Sequence, residues 1–276
     1  MAVYKRSYKS YTGAHTATWP RFLILARYSY ARLFQSKFLV LFMAVCLFYP
    51  LGCAAFIYLS HNLSFLETLN VDGAQLPHID GRFFYVFCTV QGAFAYLLTA
   101  FVGPSLVSPD LANGAMPLYF SRPFSRTEYV AGKMILLLFL LSLITWIPGS
   151  VLYGIQASLA GWDWAKDNFW MERSVVLGCF VWITVLSLIA LALSAWVKWK
   201  VIAGAGFGAA INSVMRTHYG GLIDLTQVVH TIWSDLLRYD SGARLTVGEA
   251  WTVLIVICVA CLWLLAKRVR PFEVVK

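Results

Sequence analysis

Long apolar stretches alternate along the chain with short polar ones, and the polar ones carry the charges. Six stretches contain no Asp, Glu, Lys or Arg: 38–60, 83–109, 134–162, 174–197, 201–215 and 250–266, of 23, 27, 29, 24, 15 and 17 residues. A helix needs about 20 apolar residues to cross the hydrocarbon of a bilayer. Four stretches meet that length outright, and the two short ones are read from their flanks. A single soluble domain has nowhere to bury six such runs. The pattern predicts an all-α integral membrane protein with six transmembrane helices, at 38–60, 83–108, 134–157, 174–197, 201–218 and 250–266. Phe83, Phe84, Tyr85, Trp162, Trp164, Trp196, Trp199 and Trp251 gather near the predicted ends. Such amphipathic rings favour the headgroup level.

The fifth crossing is the shortest. It contains Gly204, Gly206 and Gly208, then Asn212 and Ser213. Carried on to His218 it is 18 residues long, about 27 Å at a helical rise of 1.5 Å per residue. That spans the core if Arg216 snorkels to the interface. Gly204 and Gly208, four apart, are expected to bring this helix close to a neighbour.

Composition agrees with this reading. The chain is 60% hydrophobic and 13% charged, about half the charge of a soluble domain. Its net charge of +9 first suggests nucleic acid, but the distribution of the charges argues otherwise. With six crossings and the N- and C-termini both cytoplasmic, the inner segments hold sixteen basic and three acidic residues, and the outer segments six and ten. Positive charge accumulates on cytoplasmic loops, so this orientation is expected. The basic residues then face anionic membrane lipid and whatever binds the cytoplasmic side, and no nucleic acid is needed. The first run begins too deep in the chain, and is too long, for a cleaved signal peptide, so it is expected to remain as an anchor.

Residues 1–37 are expected to be a cytoplasmic N-terminal segment. Trp19-Pro20 can open a helix, and over Arg21–Lys37 apolar Phe22, Leu25, Ala26 and Leu33 share a side with Ser29, while Arg21, Arg32 and Gln35 lie elsewhere. Trp, Tyr and Arg together suit an N-terminal cytoplasmic interface helix; a plain extension of the first crossing is the alternative. In the outer segment 219–249, Leu222, Leu225, Val229, Ile232, Leu236 and Leu237 recur at helical spacing, which predicts one or two amphipathic helices on the mouth of the bundle. Residues 267–276 form a cytoplasmic tail.

Catalytic signatures are missing from the sequence. The five histidines share no metal-ligand spacing, and Cys258-x-x-Cys261 sits inside an apolar run without partners. Gly204-Ala-Gly206-Phe-Gly208 lacks the spacing and the lysine of a phosphate loop, and no Gly-x-x-x-x-Gly-Lys-Ser/Thr occurs. No carboxylate falls at mid-bilayer depth, where a proton-driven carrier usually needs one. This chain is therefore expected to be no enzyme and to hold no cofactor or metal of its own.

The most distinctive stretch is the cytoplasmic elbow 109–133, between the second and third crossings. Pro123 interrupts any helix over the residues just before it. Ser125, with Glu128 three residues on, can form a capping box, so a helix is expected to start at Arg126 and feed the third crossing. Arg122 and Arg126 offer rigid donors to carboxylates. Asp110, Gly114, Tyr119, Ser121, Arg122, Pro123, Ser125, Arg126, Tyr129, Gly132 and Lys133 resemble the pattern of the permease subunits of bacterial ABC transporters of the ABC-2 class. In that pattern an acidic residue and a Gly precede Tyr/Leu-x-Ser/Ala-Arg-Pro-x-Ser-Arg-x-x-Tyr/Phe-x-x-Gly-Lys. The basic N-terminal helix, the six crossings and the long outer segment before the sixth extend the likeness over nearly the whole chain.

The resemblance implies a multi-pass protein of the bacterial cytoplasmic membrane. It implies that the chain pairs with a second permease chain and with cytosolic ABC ATPase subunits, which would hold ATP and Mg, and it suggests export. By the same carry-over, Arg21, Arg27 and Arg32 of the interface helix would couple to the ATPase. So would Asp110, Gly114, Tyr119, Arg122, Pro123, Arg126, Glu128, Tyr129 and Lys133 of the elbow. An ATP-independent secondary transporter or channel, and a non-transporting structural or sensory subunit, are the competing expectations.

Overall fold

A computed structural model describes residues 27–30, 33–62, 78–115, 125–196, 224–240, 242 and 245–268. The described residues are helices joined by turns, without a strand. In chain order they are α1 (Lys37–Ser60), α2 (Gly81–Val102), α3 (Pro104–Ala112), α4 (Arg126–Ser142), α5 (Trp146–Ala160), α6 (Trp162–Asp167), α7 (Phe169–Trp196), α8 (Leu225–Leu236) and α9 (Val247–Arg268). Five helical stretches among them are long and apolar enough to cross a membrane: α1, α2 with α3 as far as Leu111, α4 with α5, α7 and α9. The chain is a multi-pass membrane protein. The expected fifth crossing, 201–218, lies outside the described residues, and Gly204 and Gly208 lie there with it.

Local chemistry sets the helix starts. Ser36 is extended and its Oγ accepts from Leu39 N–H, so α1 begins with its own cap and does not run on from the 27–34 segment. Asp80 Oδ1 accepts from the N–H groups of Arg82 and Phe83 at the head of α2. Thr246 and Glu249 exchange hydrogen bonds at the head of α9. Each satisfies donors that a helix start leaves unpaired.

The helix α7 is the centre of the bundle. It packs against α2, α3, α4, α5, α8 and α9, and 72% of its most apolar window is buried, against 28% for α1 and 22% for α9. In α1 a single stripe is buried, Leu39, Met43, Cys46, Pro50, Cys53 and Ile57, at spacings of three and four. The opposite stripe, with Leu41, Val45, Phe48 and Leu51, is exposed.

Contacts between helix ends fix the topology. Phe38 meets Phe101, Tyr49 meets Phe87 and Phe56 meets Phe83, so α1 and α2 are antiparallel. Ser194 near the end of α7 reaches α3, and Trp196 Nε1 donates to Leu264 O near the end of α9. The start of α7 lies beside α8, where Ser174 Oγ donates to Leu236 O. One end of the bundle therefore gathers Lys37, Asp110, Arg126, Glu128, Lys133, Lys267 and Arg268. The other gathers Asp80, Asp163, Asp167, Glu172, Asp235, Asp240 and Glu249 against Arg82, Lys166, Arg173 and Arg238. Among the described residues, one end is basic and the other acidic.

Candidate functional site

Three of the elbow residues meet at the basic end. Asp110 lies in the last turn of α3, and Tyr129 and Lys133 lie one turn apart on α4. Tyr129 Oη donates to Asp110 Oδ2 at 2.7 Å, and Lys133 Nζ stands 3.0 Å from the same oxygen. Both are charge-assisted contacts, stronger than neutral hydrogen bonds. Lys133 is 8% exposed and Asp110 19%, while Tyr129 is fully buried. Lys133 Nζ also lies 5.7 Å from the Tyr129 ring centre. The carboxylate thus ties the end of α3 to the first two turns of α4.

Two local motifs place these groups. Gly114 has a φ of +63°, the left-handed backbone that favours glycine. Its N–H bonds Leu111 O, and Ala115 N–H bonds Asp110 O at 2.9 Å. That pair of bonds is a Schellman stop, and it ends α3 just past Asp110. At the start of α4, Ser125 N–H donates to Glu128 Oε2 at 2.6 Å and Glu128 N–H to Ser125 Oγ at 3.2 Å. This is the expected capping box, and α4 begins at Arg126. Arg126 is exposed at that helix start. The elbow's last eight residues are therefore the first turns of one helix that continues to Ser142, with no joint at Lys133.

The elbow is anchored to the centre of the bundle as well. Ser194 Oγ of α7 accepts from the N–H groups of Val107 and Ser108 in α3, at 3.1 and 3.0 Å. The N-terminal segment closes the other side. Residues 27–30 are helical, Tyr30 Oη donates to Leu136 O at 3.1 Å, and its ring meets Phe139 edge-on at 5.3 Å. Burial pushes the Tyr30 phenol pKa well up, so it stays a neutral donor. A groove of about 320 Å³ runs between this segment and the tie, with Ser29, Leu33, Phe101, Leu106, Asp110 and Lys133 in its walls. Arg27 is exposed. Tyr119, Arg122, Pro123, Arg21 and Arg32 lie outside the described residues.

A second construction lies between α2, α7 and α8. The amphipathic α8 drives Trp233 between two helices: a Cβ on Gly92 of α2 would fall 2.5 Å from its ring, and one on Gly178 of α7 2.7 Å. Trp182 Nε1 donates to Gly92 O at 3.0 Å. Tyr85 Oη and His230 Nδ1 are hydrogen-bonded at 2.8 Å. Burial lowers the His230 pKa, opposed in part by the nearby Asp224 carboxylate. A cavity of about 300 Å³ opens between α2, α7 and α8.

No protein-family model and no curated protein sequence matches the chain. Its residues carry the functional argument unaided.

Sequence patterning singled out Asp110, Gly114, Arg126, Glu128, Tyr129 and Lys133, and the structure brings Asp110, Tyr129 and Lys133 into contact while Gly114 and Glu128 shape the helix ends beside them. It missed the paired notches at Gly92 and Gly178, which only the arrival of Trp233 reveals. It also set the fourth crossing at 174. The helix starts at Phe169 and so includes Glu172, one of whose carboxylate oxygens is buried. Its position two residues before an uncharged run was the available signal. The thiols of Cys88 and Cys179 meet at 3.7 Å between α2 and α7. Among the described residues, no group of three or more His, Cys, Asp or Glu is placed to hold a metal ion. The basic-end arrangement is a buried charged tie between two helix ends, beside an exposed arginine.

Proposed function

We propose that the chain is the transmembrane permease subunit of an ATP-driven ABC transporter, working with separate cytosolic ATPase subunits and a second permease chain. The observation that carries this reading is the Asp110–Tyr129–Lys133 tie. It joins three residues of the resembling motif and stiffens the segment an ATPase would push. The basic end is the cytoplasmic one, by the positive-inside rule, and the membrane is the bacterial cytoplasmic membrane.

Six crossings fit the topology. Trp196 ends α7 at the basic end, and Leu237, directly after α8, lies against Gly81 at the acidic end. Forty residues join them, more than the roughly 20 a crossing needs, so the chain has length for one more crossing and both termini share a side. The thinly buried α1 and α9 offer apolar faces to lipid or to a second permease.

In this mechanism, closure of the ATPase on ATP presses the elbow and the N-terminal segment. The load enters at Arg122 and Arg126 and passes up α4. The Asp110 tie shares it with α3, and the Ser194 cap passes it to α7, the most buried helix. Packed helix bundles switch between discrete arrangements, so this push repacks the crossings and lets cargo through, with export the assigned direction.

The test is purification of the full chain in mild detergent with its cytosolic ATPase. Copurification, ATP hydrolysis by the complex, and loss of either in Arg122→Ala/Arg126→Ala support the proposal. Ion-driven flux through the chain alone in ATP-free vesicles would replace it with a secondary carrier; the buried oxygen of Glu172 is the observation that keeps that second reading in view.

A further inference from the structure

We propose that one phospholipid with a primary ammonium headgroup, of the phosphatidylethanolamine type, seats along α1 and α2 at the basic end. Two openings lie on this face. The first is the groove of about 320 Å³ beside the tie, with Ser29, Ser36, Asp110 and Lys133 on its polar side and Leu33 and Phe101 on its apolar one. The second, of about 560 Å³, is lined by Ala44, Val45, Phe48, Tyr49 and Phe94 and holds no charge. A strip of rings joins them. Phe38 meets Phe101 at 5.2 Å, and Phe42 meets Phe101 at 6.0 Å and Phe94 at 6.5 Å. On α1 the strip passes through Phe38, Phe42, Val45 and Tyr49, at spacings of three and four that keep one helix face. Phe38, Val45, Phe48 and Phe101 are exposed, so the strip is open along its side.

Length and charge select the occupant. From Phe38 to Tyr49 the chain advances eleven residues, about 16 Å along a helix. Half of the bilayer hydrocarbon is about 15 Å thick. An acyl chain laid on the strip therefore enters at the headgroup level and ends near the midplane, and the only charged groups it passes are at its start. Those groups have both signs. Asp110 Oδ2 takes Tyr129 and Lys133, while among the described residues Oδ1 accepts no hydrogen bond. A carboxylate has roughly four acceptor sites, so a further ammonium can donate to it from the groove. Ser36 and Phe38 line the same groove at the start of α1, and Lys37 between them is exposed. A helix start beside a lysine suits a phosphate. Phosphatidylethanolamine brings the phosphate and the donor together. Phosphatidylglycerol lacks the cation, and the methylated ammonium of phosphatidylcholine has no N–H to give. The inference rests on the membrane crossings and not on an ATPase partner.

The test places the full chain in phosphatidylglycerol nanodiscs with a trace of phosphatidylethanolamine that carries a diazirine at the end of one acyl chain. Photolysis and peptide mass spectrometry should find the label on residues 44–49 and 94, and a diazirine beside the ester should move it to Phe38 and Phe101. Unlabelled phosphatidylethanolamine should compete about three- to tenfold better than phosphatidylcholine. Ala44 is exposed in the wall of the second opening, so Ala44→Trp fills that opening from outside and should remove most of the chain-end label. Asp110→Asn/Lys133→Met removes both charges of the tie at once; it should abolish the preference for ethanolamine over choline and leave the label at the same depth. Label spread evenly over the exposed faces of α1 and α9, equal competition by the two lipids in the parent, a double variant that keeps the preference, or full labelling of Ala44→Trp overturns the proposal. So does an unlabelled strip, which assigns this face to another part of the chain or to a second copy.

Discussion

Breaking the Asp110–Lys133 pair from one side exposes its energetics. In Lys133→Met, Asp110 keeps Tyr129 as donor and loses its counter-ion. In Asp110→Asn, the ammonium of a residue only 8% exposed is left alone. Removing one partner of a buried pair costs about 3–5 kcal/mol, because the remaining charge stays buried. Asp110 is 19% exposed at the edge of a groove, so water relieves part of this, and each single change should cost about 3 kcal/mol. The double variant Asp110→Asn/Lys133→Met removes both charges, and the carbonyl oxygen of the introduced amide still accepts from Tyr129. It should lie within about 1 kcal/mol of the parent. For a chain of this size 1 kcal/mol corresponds to about 2–4 °C. Calorimetry in nanodiscs should therefore show drops of about 6 °C or more in the singles and a recovery to within about 3 °C in the double. A double variant as unstable as the sum of the singles refutes the tie, because non-additivity is the signature of direct contact.

Ser125→Ala removes the cap of α4 and should cost about 1 kcal/mol, read as a fall in Tm that Ser125→Asp largely restores; an unchanged Ser125→Ala contradicts the role of the capping box. Gly178→Ala forces a Cβ against Trp233 and should destabilise by about 1–3 kcal/mol, with faster hydrogen exchange confined to α8 and the facing turns; relief by Trp233→Leu is the confirming result, and slow exchange in the single variant the contrary one. His230 faces Tyr85 from α2, lies within the field of Asp224, and has its pKa lowered from 6.5 by burial. The folded state thus favours the neutral ring, so its contribution is complete above that value and is lost as the pH falls below it. Melting curves between about pH 7.5 and 5 should steepen this loss in the parent relative to His230→Gln, and identical slopes would remove His230 as the cause.

How much of this was legible in the sequence depends on the range of the interactions. Helices at four of the six uncharged runs were readable because a stretch of more than about 20 apolar residues has few alternatives, and the short run at 250–266 is part of α9. The start of α4 at Arg126 was readable because Ser125 and Glu128 are three residues apart and act on each other. The amphipathic spacing of Leu225, Val229, Ile232 and Leu236 likewise announced α8. Two breaks inside these runs had a local cue as well: the second run is broken at Gly103, directly before Pro104, and the third at 143–145, just before Pro148, and a proline lacks the N–H that would continue the helix. What the sequence does not show is the packing at the first break, where a Cβ on Gly103 would fall 2.7 Å from Ala190 Cβ.

The same distinction explains why the elbow could be found and the cavity beside α8 could not. Asp110, Tyr129 and Lys133 occupy a span of 24 residues, and their register is set by two short-range devices. Gly114 ends α3 just past Asp110, and the Ser125 cap starts α4 just before Tyr129, so two helix ends arrive with complementary charges already at their tips. One contact then completes the joint. The walls of the cavity come from positions 89–96, 182 and 226–233, and no local device relates them. They converge because Gly92 and Gly178 leave a gap the width of an indole between α2 and α7, and Trp233 fills it. A glycine in an apolar run reads as a weak helix former until the ring that needs its missing side chain is known. Local pattern therefore reveals the tie between the ends of α3 and α4, while only the packed bundle reveals the seat of Trp233.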